Sequence, residues 1–306
     1  MNANRSPSDH HRSGFVLGLL AYALWGVLPL YFKALKGVPP FDIVAHRVLW
    51  SIPFLAIVIA IARGWPKVRD ALRRPRTVGM LISTALLIGG NWLLYVYAVT
   101  SGHILAASFG YYLNPLANVL LGRFVLKEQL NRLQWTAVAV AAAGISVLAA
   151  GALGQLWISL TLCVSFALYG LLRKVVPADA VTGLGIETAI LFPAAIIWLA
   201  WRHSTGAAIM GDSGYLTILL LLAGIVSTTP LMLFTAAARR LQYSTLGMLQ
   251  FIAPTLQFLI AVLLYGEKVT MAHAIAFPAI WIGLALYATA LLRTPLAQEE
   301  LPQAPE

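Results

Sequence analysis

Charged side chains are scarce in this chain: they make up 10% of its 306 residues, while 60% are hydrophobic. A soluble domain carries roughly 25% charged residues, so one large soluble core is excluded and a membrane composition is left. Cysteine is rarer still. Cys163 is the only one, which excludes disulfides and cysteine-based metal sites. No connection between apolar runs is long enough to house a soluble catalytic or nucleotide-binding domain. GxxxxGK[ST] is absent, so no ATP-binding partner is required. HExxH and GxSxG are absent and the six His are scattered, so neither a metal nor another cofactor is expected.

What the chain does have is a series of apolar runs, each near 20 residues and able to cross about 30 Å of hydrocarbon. Ten are counted, at 14–32, 42–62, 77–99, 104–123, 133–151, 154–172, 181–201, 214–237, 243–265 and 270–292. The first is expected to be a true span rather than a cleaved leader, because "PLYFKALKGVPP" and no small-x-small site follows it. Residues 1–12 and 294–306 are expected to be disordered tails.

The net charge of +10 would suit a nucleic-acid binder, but its placement does not. With alternating spans, 16 of the 21 Lys and Arg fall on one side, with the termini and the loops near 63–76, 123–132, 173–180 and 238–242. Lys33, Lys36, Arg202 and Lys268 hold the other side. Positive-inside bias then places both termini in the cytoplasm. The basicity is a topology signal, and nucleic acid is not an expected partner.

The chain repeats internally. Pro115 and Glu128 are 13 apart, as are Pro254 and Glu267; Gly144 and Gly283 each lie 29 beyond their Pro. One offset of 139 superposes all three pairs, although Glu occurs only six times. An offset of 140 sets Pro53 on Pro193 and Arg47 on Glu187. The halves 13–153 and 154–293 therefore read as two copies of a five-span unit. Five is odd, so the second copy enters the membrane inverted, as in many secondary transporters.

Arg47 and Glu187 are the charged residues set well inside the spans. An ionised Arg at a helix centre costs about 2.5–3.5 kcal/mol on the insertion scale, so it marks a function or a forced pairing. In the functional reading both line a water-filled path, with Arg47 holding a carboxylate or other acceptor and Glu187 carrying a proton. The alternatives are snorkelling for Arg47 and a bracing hydrogen bond for Glu187. His46 beside Arg47 is the third candidate of this group, although a neighbouring carbonyl would also satisfy it.

A second set is polar and aromatic. Asn91 and Tyr95 sit in "GGNWLLYVY"; Tyr111, Tyr112 and Asn114 sit in "FGYYLNPLAN". All are expensive to present to lipid. Tyr111, Asn114 and Asn118 share one helical face. Gln250 and Gln257 occupy comparable places in the second half, and Trp25 offers stacking surface. Interhelical hydrogen bonding and interfacial aromatic belts are the alternative for each. Pro115 and Pro254 lie mid-span at equivalent places, where each frees a carbonyl and bends its helix. Paired, Pro-interrupted spans point to a transporter site.

The segments "YALWGVLPLYFKAL", "HRVLWS", "NWLLYVYAV", "SFGYYLNPL", "KEQL", "YGLLRK", "TPLMLF" and "GMLQFIAPT" resemble the RarD group of the EamA family, in the drug/metabolite transporter superfamily. The resemblance runs over essentially the whole chain. Asp42 stands where the group would have Glu, which keeps the charge. It implies an all-α membrane protein of ten helices in two inverted EamA repeats, in the bacterial inner membrane. It further implies a permease exporting small molecules, with Arg47, Glu187 and the Tyr111–Asn114 region as cavity candidates. An intramembrane lipid- or metabolite-modifying enzyme and a channel-like facilitator are the competing classes. The first needs a nucleophile–base pair or metal cluster; the second predicts flux without saturation.

Overall fold

A computed structural model describes residues 7–293 except 102, 150–153, 155, 208–209, 212 and 267–268. The expected tail 294–306 and Glu267 of the repeat thus lie outside the described residues. The described secondary structure is all-helical. The first half holds α1 (Pro7–Ala34), α2 (Pro40–Ile61), α3 (Trp65–Leu72), α4 (Pro75–Thr100), α5 (Ile104–Phe124) and α6 (Arg132–Ala149). The second holds α7 (Leu156–Val175), α8 (Ala180–Ser204), α9 (Gly214–Ala238), α10 (Tyr243–Leu249), α11 (Ile252–Tyr265) and α12 (Met271–Arg293). α1 begins at Pro7, within the segment expected as a tail.

Local chemistry sets these boundaries. α2 and α3 carry Pro in their first turn, where the missing N–H costs no hydrogen bond. Asp179 caps α8 by accepting from the Thr182 amide at 2.8 Å. Gly266 ends α11 in the left-handed conformation, φ 65°.

Among the described residues, eight helices are long and apolar enough to cross a membrane, α10 and α11 counting as one. The protein is therefore a multi-pass membrane protein. The other two expected spans coincide with α5, of 21 residues, and α6, of 18. Leu86, Ile197, Ile218 and Leu263 lie exposed on the outside of the bundle, where hydrocarbon is their natural solvent.

Helices of the two halves interleave. α1 runs antiparallel to α9: Tyr31 Oη donates to the Leu219 carbonyl at 2.8 Å near one end, and Gly14 lies against Arg240 at the other. α2 packs on α8 and α9, α4 on α7 and α8, α5 on α7 and α10, and α11 on α1. α6 and α12 form the outermost pair. They approach so closely that a Cβ on Gly144 would lie 2.9 Å from the Ala276 carbonyl oxygen, and one on Gly283 2.8 Å from that of Ala137. Small residues admit such backbone approach where apolar burial offers no gain over lipid. At the α2–α9 crossing a Cβ on Gly224 would overlap the Trp50 backbone, and beside it Ser51 Oγ meets Thr228 Oγ1 at 2.5 Å.

Candidate functional site

A cavity of about 280 Å³ opens between the halves. It reaches from the bundle's middle toward the end that carries the α1–α2, α4–α5 and α8–α9 connections. Arg47, from the first third of α2, stands in its wall. Arg47 Nε donates to Ser227 Oγ on α9 at 2.7 Å, and Trp92 on α4 lies under the guanidinium with its ring centroid 4.5 Å from Cζ. A cation over an aromatic face offsets part of the cost of leaving water. Arg47 is thus held by partners from the opposite half and from its own.

Asn91, Tyr95, Tyr111 and Tyr112 line the same cavity from α4 and α5. Tyr95 and Tyr111 pack at 5.6 Å between centroids. Asn91 Nδ2 donates to the Leu162 carbonyl and to Ser165 Oγ, both at 2.9 Å, and its Oδ1 accepts from Tyr111 Oη at 3.3 Å. Trp25, Gln250, Pro254 and Gln257 complete the wall from α1 and the α10–α11 segment. Gln257 Nε2 donates to the Trp25 carbonyl at 3.1 Å, and Gln250 Oε1 accepts from Asn118 Nδ2 at 2.8 Å. The α10–α11 break at Gln250–Phe251 precedes Pro254, which has no N–H for the Gln250 carbonyl; that carbonyl accepts from the Ala253 amide at 3.2 Å instead. Pro115, by contrast, sits inside the unbroken α5 and away from the cavity lining.

Glu187 lies outside this cavity. It is buried among α4, α7 and α8, where Thr84 Oγ1 donates to its Oε1 at 2.5 Å and Tyr169 Oη to its Oε2 at 3.4 Å. Arg173 Nε approaches Oε1 at 3.4 Å. Arg173 Nη2 donates to the Asp179 and Ala180 carbonyls. A Cβ on Gly183 would overlap this guanidinium. His46 is buried beside Arg47, but its Nδ1 has no bonded partner among the described residues; the same holds for both amide atoms of the fully buried Asn114.

Several residues that matter here escaped the sequence reading. Trp92 adjoins Asn91 in a quoted motif, and its spacing of three from Tyr95 was the available signal. Ser227 precedes the Thr228–Thr229 pair on α9. Arg173 ends a span and so reads as a loop charge. Asp42 accepts from Trp198 Nε1 at 2.8 Å and pairs with Arg202 at 2.9 Å, clamping α2 to α8 at the cavity's open end.

The opposite end of the bundle is closed. Glu128, one of the repeat-matched residues, reaches across to α10, accepting from the Tyr243 and Ser244 amides at 2.5 and 2.9 Å and from Ser244 Oγ at 2.7 Å. Lys174 Nζ donates to the Ala238 and Leu241 carbonyls, and Arg239 Nη1 to that of Val176 at 2.6 Å. At the same end Asp179 pairs with Lys67 at 3.3 Å. Half-burial pushes its carboxyl up, but bonds from Thr182 and Lys67 outweigh this and hold it below the ordinary carboxylate range.

Residues 12–150 match the EamA-like transporter family. An uncharacterized transporter of Vibrio cholerae is 46% identical over 90% of this chain and 92% of its own. Protein RarD of Escherichia coli K12 is 44% identical over 90% and 94%. The chloramphenicol-sensitive protein RarD of Pseudomonas aeruginosa is 32% identical over 89% and 92%. A crystal structure with 20% sequence identity superposes with a TM-score of 0.71 over 93% of this chain and 100% of that one, a likeness of fold. With relatives this similar over nearly their full length, the chain belongs to the EamA family of transporters, as a permease of the RarD type.

Proposed function

We propose that this permease is a secondary transporter that moves small metabolites or drugs, such as amino acids, aromatic compounds or amphenicols, by alternating access around the cavity at Arg47. The observation that carries this reading is the cavity itself: both halves wall it, and it is open toward one end of the bundle and sealed at the other. The proposal includes ten spans in two inverted repeats, 13–153 and 154–293. The packing pairs support it, since they exchange under a twofold operation. α1 on α9 answers to α7 on α4, α2 on α9 to α8 on α4, and α5 on α7 to α11 on α1. α2 with α8, α6 with α12 and α5 with α10 answer to themselves. Nearly exchangeable halves give two states of similar energy, which alternating access requires. The protein is placed in the bacterial inner membrane with both termini cytoplasmic, so this conformation faces outward.

Glu187 stays a candidate for proton coupling, but its pairing with Arg173 and its place outside the cavity favour a brace. The test is solute flux in proteoliposomes under an imposed pH difference, with Glu187→Gln alongside. Saturable flux is expected. If Glu187 couples protons, the variant loses the response to the gradient; as a brace it keeps that response. A protein that binds candidate solutes yet never moves them sinks the transport reading, and flux without saturation or competition replaces it with a facilitator.

A further inference from the structure

The cavity carries a single formal charge. Among its lining residues Arg47 is the only Lys, Arg, Asp or Glu. The fully buried Arg173 meets Glu187 at 3.4 Å, and Arg202 at the cavity's open end meets Asp42 at 2.9 Å. Arg47 has no carboxylate partner among the described residues. Its Nε is spent on Ser227 and its face on Trp92, which fixes the guanidinium plane. Both Nη groups, the fork that takes a carboxylate in two parallel bonds, donate to no described residue.

The rest of the wall says what the anion should be attached to. Trp92, Tyr95 and Tyr111 stand beside the guanidinium, and Trp25 and Phe166 face each other edge-on at 5.8 Å across the floor. The amides are largely engaged by the protein itself, as the bonds of Asn91, Gln250 and Gln257 attest. At about 280 Å³ the volume lies just under the range of ligand pockets, which run from roughly 300 to 1,000 Å³. One ring and a short chain fill it. With no carboxylate in the wall, a ligand ammonium would enter without a counter-charge and beside a fixed cation.

The geometry points to a small aromatic monoanion, an aryl or arylalkyl carboxylate, as the preferred ligand, with its carboxylate on the Arg47 fork and its ring among Trp92, Tyr95 and Trp25. A zwitterion or amine of the same skeleton is selected against. This narrows the proposed transport reading and rests on it only for what the site serves.

The test is equilibrium binding to the purified full chain in detergent at neutral pH, read by calorimetry. Three probes share one skeleton: 3-phenylpropionate, L-phenylalanine and 2-phenylethylamine. 3-Phenylpropionate is expected to bind saturably with a Kd at least tenfold below the other two. Arg47→Gln is expected to raise that Kd at least tenfold and erase the ranking; Arg47→Lys, which keeps the charge but not the fork, falls between. No binding of 3-phenylpropionate, equal binding of all three, or an unchanged ranking in Arg47→Gln overturns the inference. If that variant does not fold, the wild-type ranking decides alone. Flux of the same probes separates the two readings. Selective binding of the anion without flux ends the transport reading and leaves the anion site standing. Saturable flux of the amine, with 3-phenylpropionate neither bound nor competing, does the reverse.

Discussion

Arg173 on α7 and Glu187 on α8 form a buried ion pair, Nε to Oε1 3.4 Å, with their side chains 0% and 2% exposed. Around it Thr84 and Tyr169 donate to the carboxylate and the Asp179 and Ala180 carbonyls accept from Nη2, while Nε and Nη1 make no hydrogen bond to a described residue. α4, α7 and α8 are thereby tied together at one point beneath the cavity.

Removing one partner should cost far more than removing both. An orphaned buried charge costs about 3–5 kcal/mol, whereas apolar replacement of a whole pair is often neutral. Arg173→Met alone is expected to lower the melting temperature in detergent sharply, and Arg173→Met with Glu187→Met to recover most of the loss. Simple additivity of the single losses would mean that the two charges do not act as a pair.

Gly183 should be intolerant for the same reason. Its missing Cβ makes room for the Arg173 guanidinium. Gly183→Ala is expected to destabilise by about 1–3 kcal/mol, and to be nearly silent in an Arg173→Ala background. An equal penalty in both backgrounds would place the fault in the α8 backbone instead.

The matched glycines offer a paired experiment at the α6–α12 contact. A Cβ at Gly144 or Gly283 would press on a carbonyl oxygen of the facing helix at 2.9 or 2.8 Å, and backbone cannot step aside as a side chain can. Gly144→Val and Gly283→Val are expected to cost similar amounts, about 1–3 kcal/mol each. Gly79→Ala, with nothing near its added Cβ, should leave the melting temperature unchanged or slightly raised. Unequal losses would mean that the two sites are not equivalent.

How much of this was legible in the sequence depends on the range of the interaction. Helical hydrophobicity is a local property, and the apolar runs coincide with the helices to within a few residues at most ends. Arg47 was legible as a charge out of place, and a repeat could be read from three matched residues. Arg173 was not, since a basic residue closing a span is the commonest topology signal, and only the return of α8 with Gly183 buries it. Glu187 was visible as a buried acid, but its partners Thr84 and Tyr169 lie 103 and 18 residues away, and no periodicity relates them. Glu128 capping α10 is likewise a contact across 115 residues.

Acid should loosen the closed end first at Asp179. Its native carboxyl lies below the ordinary value of about 3.9, held there against burial by Thr182 and Lys67. A group depressed on folding contributes stability that is present above its unfolded pKa and is lost as pH falls through the native value. Wild-type melting temperature is therefore expected to drop below about pH 4 more steeply than that of Asp179→Asn, which lacks the ionisation. Parallel curves would mean that the cap does not depend on charge.

The break between α10 and α11 should matter to movement more than to binding. Pro254 lacks the N–H that would bond the Gln250 carbonyl, and the regular helix is interrupted where Gln250 and Gln257 meet the cavity. Pro254→Ala restores that donor and lets the helix run on, at little steric cost because alanine is smaller. Stability is expected to hold or rise, while 3-phenylpropionate affinity changes less than threefold. If the break is a hinge in the transport cycle, the maximal flux falls several-fold and its half-saturation stays near the wild-type value. Pro115→Ala, in a helix that is continuous as it stands, should slow flux less. Equal slowing at both prolines would assign the motion to the pair. No slowing at either would return the α10–α11 break to packing alone.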